Sequence, residues 1–114
     1  MKIKNITWAF TIAAFSMAAQ ISAANETSPR SKILRITSYA KFGNGDVYVK
    51  LEESSTVCAH GYFLNRDSVG FETSISMLIS AYHAGSSVLI VGDEQRMWSG
   101  SSNPVCEIYS IQYQ

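Results

Sequence analysis

The stretch GYFLNRDSVGFETSISMLISAYHAGSSVLIV, residues 61–91, decides the fold. Gly61 to Leu64 reads as a short strand. Asn65-Arg66-Asp67-Ser68 then punctuates the chain. Asp67 or Ser68 is positioned to cap a helix, and Glu72 in its first turn suits the helix dipole. Phe71, Ile75, Leu78, Ile79 and Tyr82 recur at helical spacing and form one apolar face. Gly85 is positioned to end the helix in a left-handed cap. Ser87 to Val91 is a strand, and its continuous run Val88-Leu89-Ile90-Val91 marks it as buried.

The flanks extend this pattern. Ile33 to Lys41 is rich in β-branched and aromatic residues, and Asn44-Gly45 inside Gly43–Asp46 is a hairpin signal. Val47, Val49 and Leu51 alternate with Tyr48 and Lys50, as in a half-buried strand. Glu52 to Thr56 is a polar loop leading to Cys58. Gly92 to Val105 reads as a second polar loop, holding Arg96, Met97 and Trp98, and Cys106 to Tyr113 as the last strand. The chain is therefore mainly β with one helix, in the order β-β-β-α-β-β. That is the order of a five-stranded OB-fold barrel, here over residues 33–114. Closure removes exposed sheet edges, and the helix plugs one end.

Residues 1–24 carry a different signal. Lys2 and Lys4 precede an apolar run from Ile6 to Ala19, and Ser22-Ala23-Ala24 supplies a small-x-small cleavage site. This is the pattern of a secretory signal peptide, so the protein is expected outside the cytoplasm, secreted or periplasmic. The alternative, a membrane anchor, fits less well: the run is short for a bilayer, and no stop-transfer charges follow. Residues 25–32 are polar, contain Pro29, and read as a flexible arm; Asn25-Glu26-Thr27 fits the weak glycosylation sequon.

Removing the leader leaves seven basic residues against nine acidic, a net of −2. That excludes the basic footprint of a nucleic-acid binder, and the scattered charges exclude a polybasic membrane patch. Cys58 and Cys106 are the only cysteines, and export favours a disulfide between them. A metal site built from Cys58, His60 and Cys106 is the alternative, with no evident fourth ligand.

Catalytic signatures are absent from the sequence. There is no nucleophile elbow, no His-Glu-x-x-His and no phosphate-cradling glycine loop. Glu52-Glu53 and Asp93-Glu94 are adjacent, which is poor geometry for paired carboxylate catalysis. His83 near the helix end reads as a dipole partner and His60 as a loop residue. The expectation is a non-enzymatic protein without cofactor. Its six tyrosines and Trp98 suit sugar recognition. Tyr48, Tyr109 and Tyr113 either face solvent or pack in the barrel. Trp98, beside Arg96, either meets a ligand or folds back over a barrel end.

The cadence of Tyr62–Val91, the segment Ile36-Thr37-Ser38-Tyr39 before the hairpin and the Trp98 loop resemble the binding subunits of bacterial AB5 toxins. The similarity is to the subtilase-cytotoxin and typhoid-toxin B-subunit type and to small exported proteins that share its pattern. The resemblance implies an OB-fold, a ring-shaped homopentamer, an enzymatic A-subunit partner and binding of sialylated or other cell-surface glycans. It also implies a sugar contact near the start of the first strand, at Ser31 or Lys32. The family's tyrosine after the fourth strand is Gly92 here, and its cysteine at the end of the second strand is missing from Val49-Lys50-Leu51. The expected ligand-binding set is Ser31, Lys32, Arg96 and Trp98. The runner-up function is a small periplasmic interaction domain or inhibitor without a glycan ligand, which an exposed apolar patch would favour.

Overall fold

A computed structural model describes residues 25–113. The leader expected over residues 1–24 lies outside the described residues. The elements are β1 (Asn25–Thr27), β2 (Ser31–Ser38), β3 (Val47–Leu51), β4 (Tyr62–Leu64), α1 (Phe71–Ala84), β5 (Ser87–Met97) and β6 (Cys106–Tyr113). β2 pairs β3, β3 pairs β4, and β5 pairs β6 and β2, all antiparallel; β4 pairs β6 in parallel. The ring β2-β3-β4-β6-β5 therefore returns to β2, and five strands close on themselves. This is the expected OB-like architecture, with the helix between the third and fourth strands of the ring.

Alternation builds the interior. Along β3 the side chains of Val47, Val49 and Leu51 are buried, while those of Tyr48 and Lys50 are only partly covered. Ile33, Leu64, Val88, Ile90 and Ile108 complete the core from the other strands. Tyr62 is buried beside them, and burial pushes its hydroxyl above the usual tyrosine range; the Ser55 hydroxyl lies 3.3 Å away. Helix α1 closes one end with Leu78 and Ala81, supported by Phe71 and Ile75. Gly85 ends it in the left-handed conformation, as expected.

Cys58 and Cys106 form a disulfide, which removes both thiolates from any metal site. It closes a 48-residue separation, worth about 4 kcal/mol by restriction of the unfolded chain.

Several sequence expectations are corrected. The polar segment 25–32 is not a loose arm. Asn25–Thr27 pairs with β5, and the Ser28 amide and hydroxyl exchange hydrogen bonds with the Ile90 backbone. β2 begins at Ser31 rather than Ile33. β5 runs on to Met97, so Gly92–Met97 is strand and not loop; pairing with β6 overrides its polar composition. The helix N-cap is Gly70, without a side-chain cap from Asp67 or Ser68. The buried helix stripe is Phe71-Ile75-Leu78-Ala81, which leaves Ile79 and Tyr82 47% and 46% exposed. The hairpin is real, but its connection is eight residues long, from Tyr39 to Asp46, with Gly43, Asn44 and Gly45 all at positive φ.

Candidate functional site

Trp98 organises the outer face of the barrel. Tyr48 and Phe63 are cross-strand partners on β3 and β4, and the Trp98 ring lies over both, with centroids 6.1 and 6.0 Å away. Tyr39 and Phe42, from the β2–β3 loop, approach its edge. Gly43 lies so close that an added Cβ would sit 2.5 Å from the indole ring. The indole N–H donates to Asp46 Oδ2 at 3.1 Å, and Asp46 Oδ1 accepts the Arg66 amide at 2.9 Å. Both oxygens of this buried carboxylate are thus satisfied, as burial requires. Trp98 is 5% exposed, which corrects the exposed-aromatic reading; it does fold back, but onto the outer face over Tyr48 and Phe63 rather than over a barrel end. Buried Phe63 and half-buried Tyr39 and Tyr48 cover its ring on the outer face.

Two concavities flank this aromatic stack. The first, about 420 Å³, is lined by the amides Asn44, Asn65 and Gln95, by Ser99 and by the charged Arg96, Asp46 and Glu107, with Met97, Phe63 and Trp98 as its apolar part. Amides that both donate and accept, next to apolar surface, match the hydroxyls and C–H faces of a sugar. Arg96 is exposed and only loosely tied to Asp93, at 3.6 Å. The second, about 370 Å³, is lined by Arg35, Tyr39, Tyr48, Lys50, His60, Ser101, Asn103 and Val105.

Of the four expected contacts, the structure brings Arg96 and Trp98 together in the first concavity. Ser31 and Lys32 stand elsewhere, paired with Val88 and Ser87 at the start of β5. Ser31 is buried; its hydroxyl donates to the Lys32 carbonyl and accepts the Glu53 amide. Lys32 is exposed at that edge. Tyr48 is half-buried and its hydroxyl donates to the His60 carbonyl. Tyr109 is exposed, and Tyr113 donates to the Met77 carbonyl at 2.6 Å. Sequence reading missed Asn44, Asn65 and Gln95. Asn44 and Asn65 show only an amide among turn residues, which a sequence cannot tell from ordinary turn chemistry, and Gln95 shows only a polar side chain in a charged stretch. Among the described residues, no group of three or more His, Cys, Asp or Glu side chains is arranged to hold a metal ion.

The closed ring of β2-β3-β4-β6-β5 with its single helix has counterparts among solved proteins. A human heat-labile enterotoxin in complex with a blood group A antigen analog aligns over 81% of this chain and 87% of its own, at 14% identity and a TM-score of 0.52. The fold is that of the toxin B subunits. The porcine Escherichia coli heat-labile enterotoxin B-pentamer in complex with lacto-N-neohexaose aligns over 81% of this chain and 87% of its own, at 12% identity and a TM-score of 0.54. The cholera toxin-like B-subunit of Citrobacter freundii aligns over 80% and 86%, at 16% identity and a TM-score of 0.51. No protein-family model and no curated protein matches the sequence. At these identities the likeness is one of fold. Among the described residues, no helix is long and apolar enough to cross a membrane.

Proposed function

We propose that this protein is an exported, non-enzymatic binding domain of the toxin-B-subunit kind that recognises a cell-surface glycan. One observation carries the reading: the chain shares its closed five-stranded fold, over about four fifths of its length, with B subunits solved in complex with saccharides. The leader pattern in residues 1–24 supports export to the periplasm or beyond.

The sugar site is the concavity of Asn44, Asn65, Gln95 and Arg96. Its amides hold the hydroxyls, Arg96 supplies a charged donor, and Met97 offers apolar contact. Trp98 acts there by holding the wall, and Lys32 lies outside it. The domain assembles as a homopentameric ring, the state of the porcine enterotoxin neighbour. Exposed Leu34, Ile79, Tyr82 and Tyr109 provide apolar surface for contacts between copies. An enzymatic A-subunit chain would complete the toxin arrangement.

A glycan array on the purified protein tests the reading. We expect binding to a defined set of glycans, weakened about tenfold or more in Arg96→Gln, as for loss of a charged hydrogen bond. An array with no binding, or binding indifferent to Arg96, overturns it.

A further inference from the structure

The second concavity holds an unusual pair. Arg35 of β2 and Lys50 of β3 are direct cross-strand partners. Like charges directly opposite one another weaken an antiparallel pair. Neither cation has a carboxylate within salt-bridge reach among the described residues. Both are nonetheless held in position. The Arg35 guanidinium sits over the Tyr48 ring, 5.3 Å from its centroid. Lys50 Nζ donates to Ser54 Oγ at 2.7 Å and to the Ala59 carbonyl at 2.8 Å. Around them stand His60, Ser101 and Asn103, and no acidic residue lines the groove. The His60 amide bonds the Pro104 carbonyl, which fixes that wall against the loop before β6.

We propose that this groove binds an oxyanion, a sulfate ester or a carboxylate, carried by an acidic saccharide. The anion screens the repulsion between Arg35 and Lys50 and receives charge-assisted hydrogen bonds from both. Ser101 and Asn103 supply neutral donors beside them, and the half-buried rings of Tyr39 and Tyr48 give a sugar ring an apolar face. The positive charge is local. The chain from Asn25 onward carries a net −2, which repels a long nucleic-acid polyanion while leaving one short groove attractive. This site uses none of the residues of the Arg96 concavity, so it stands whether or not that concavity takes a sugar.

Calorimetric titration of the purified protein tests it, with a heparin hexasaccharide, a hyaluronan hexasaccharide, neutral maltohexaose and a single-stranded oligonucleotide as probes. Trp98 emission gives a second readout, because the indole stacks on Tyr48 at the groove. The expected result is saturable binding of an acidic saccharide and none of maltohexaose. Arg35→Gln and Lys50→Gln each weaken it about tenfold or more, while Lys41→Gln, which removes the same charge from outside the groove, leaves it unchanged. Binding of heparin alone assigns a sulfate; binding of hyaluronan as well assigns a carboxylate. Circular dichroism checks that each variant is folded, and if one is not, the other carries the test. Three outcomes overturn the proposal: no saturable binding of either acidic saccharide, equal weakening by Lys41→Gln, or tighter binding of the oligonucleotide.

Discussion

Trp98 stands at the head of a polar run, Ser99-Gly100-Ser101-Ser102-Asn103, and is nonetheless among the most covered side chains of the outer face. Its own neighbours in sequence carry no hint of this. The cover comes from Tyr39, Tyr48 and Phe63, which are 35 to 59 positions earlier and meet it only through the fold. Truncating Trp98 to Ala is expected to cost about 3–5 kcal/mol in urea unfolding, from lost packing. Trp98→Phe keeps a ring but leaves Asp46 Oδ2 without its donor, and is expected to cost about 1–3 kcal/mol. A cost below about 0.5 kcal/mol for Trp98→Ala would contradict its structural role. Gly92 makes a parallel case. Where the resembled family has a tyrosine, an added Cβ here would meet Tyr62 at 2.8 Å and the disulfide Sγ of Cys58 at 3.1 Å.

Elements were legible where a periodic signal was strong, and lost where pairing partners decided the outcome. The helix and its end at Gly85 followed from the 3.6-residue period and one glycine. The extension of β5 through Gly92-Asp93-Glu94-Gln95-Arg96-Met97 did not, because a polar edge becomes strand only once β6 lies beside it. Register was the costliest ambiguity. A two-residue Asn44-Gly45 turn would set Tyr39 opposite Lys50, whereas the longer connection sets Arg35 there. The Arg35–Lys50 pair was therefore invisible in the sequence, although each residue was in plain view. The disulfide was legible from the leader-like pattern of residues 1–24 and the cysteine count alone. It joins the loop before β4 to the first residue of β6 and so holds the one parallel pairing in the ring. The double variant Cys58→Ser, Cys106→Ser is expected to lose about 4 kcal/mol of stability, seen as a lower melting temperature under non-reducing conditions. An unchanged melting temperature would show that the staple contributes nothing.

At the scale of the whole molecule, the barrel leaves two kinds of surface unassigned by its own core. One is polar and concave, on either side of the Trp98 stack. The other is apolar and exposed, at Leu34, Ile79, Tyr82 and Tyr109, where the last is 69% open to solvent. The first suits ligands and the second suits further copies of the chain. Order β-β-β-α-β-β was enough to reach the fold, while the four expected contact residues were only half assembled in space. Ser31 went to the start of β2 as a buried hydrogen-bond bridge, its hydroxyl donating to the Lys32 carbonyl and accepting the Glu53 amide just beyond β3. Native mass spectrometry of the purified protein, with an array-selected glycan added, tests fold, assembly and binding together. A ring of five protomers carrying bound glycan is the expected result; a monomer that stays bare overturns both the ring and the glycan site.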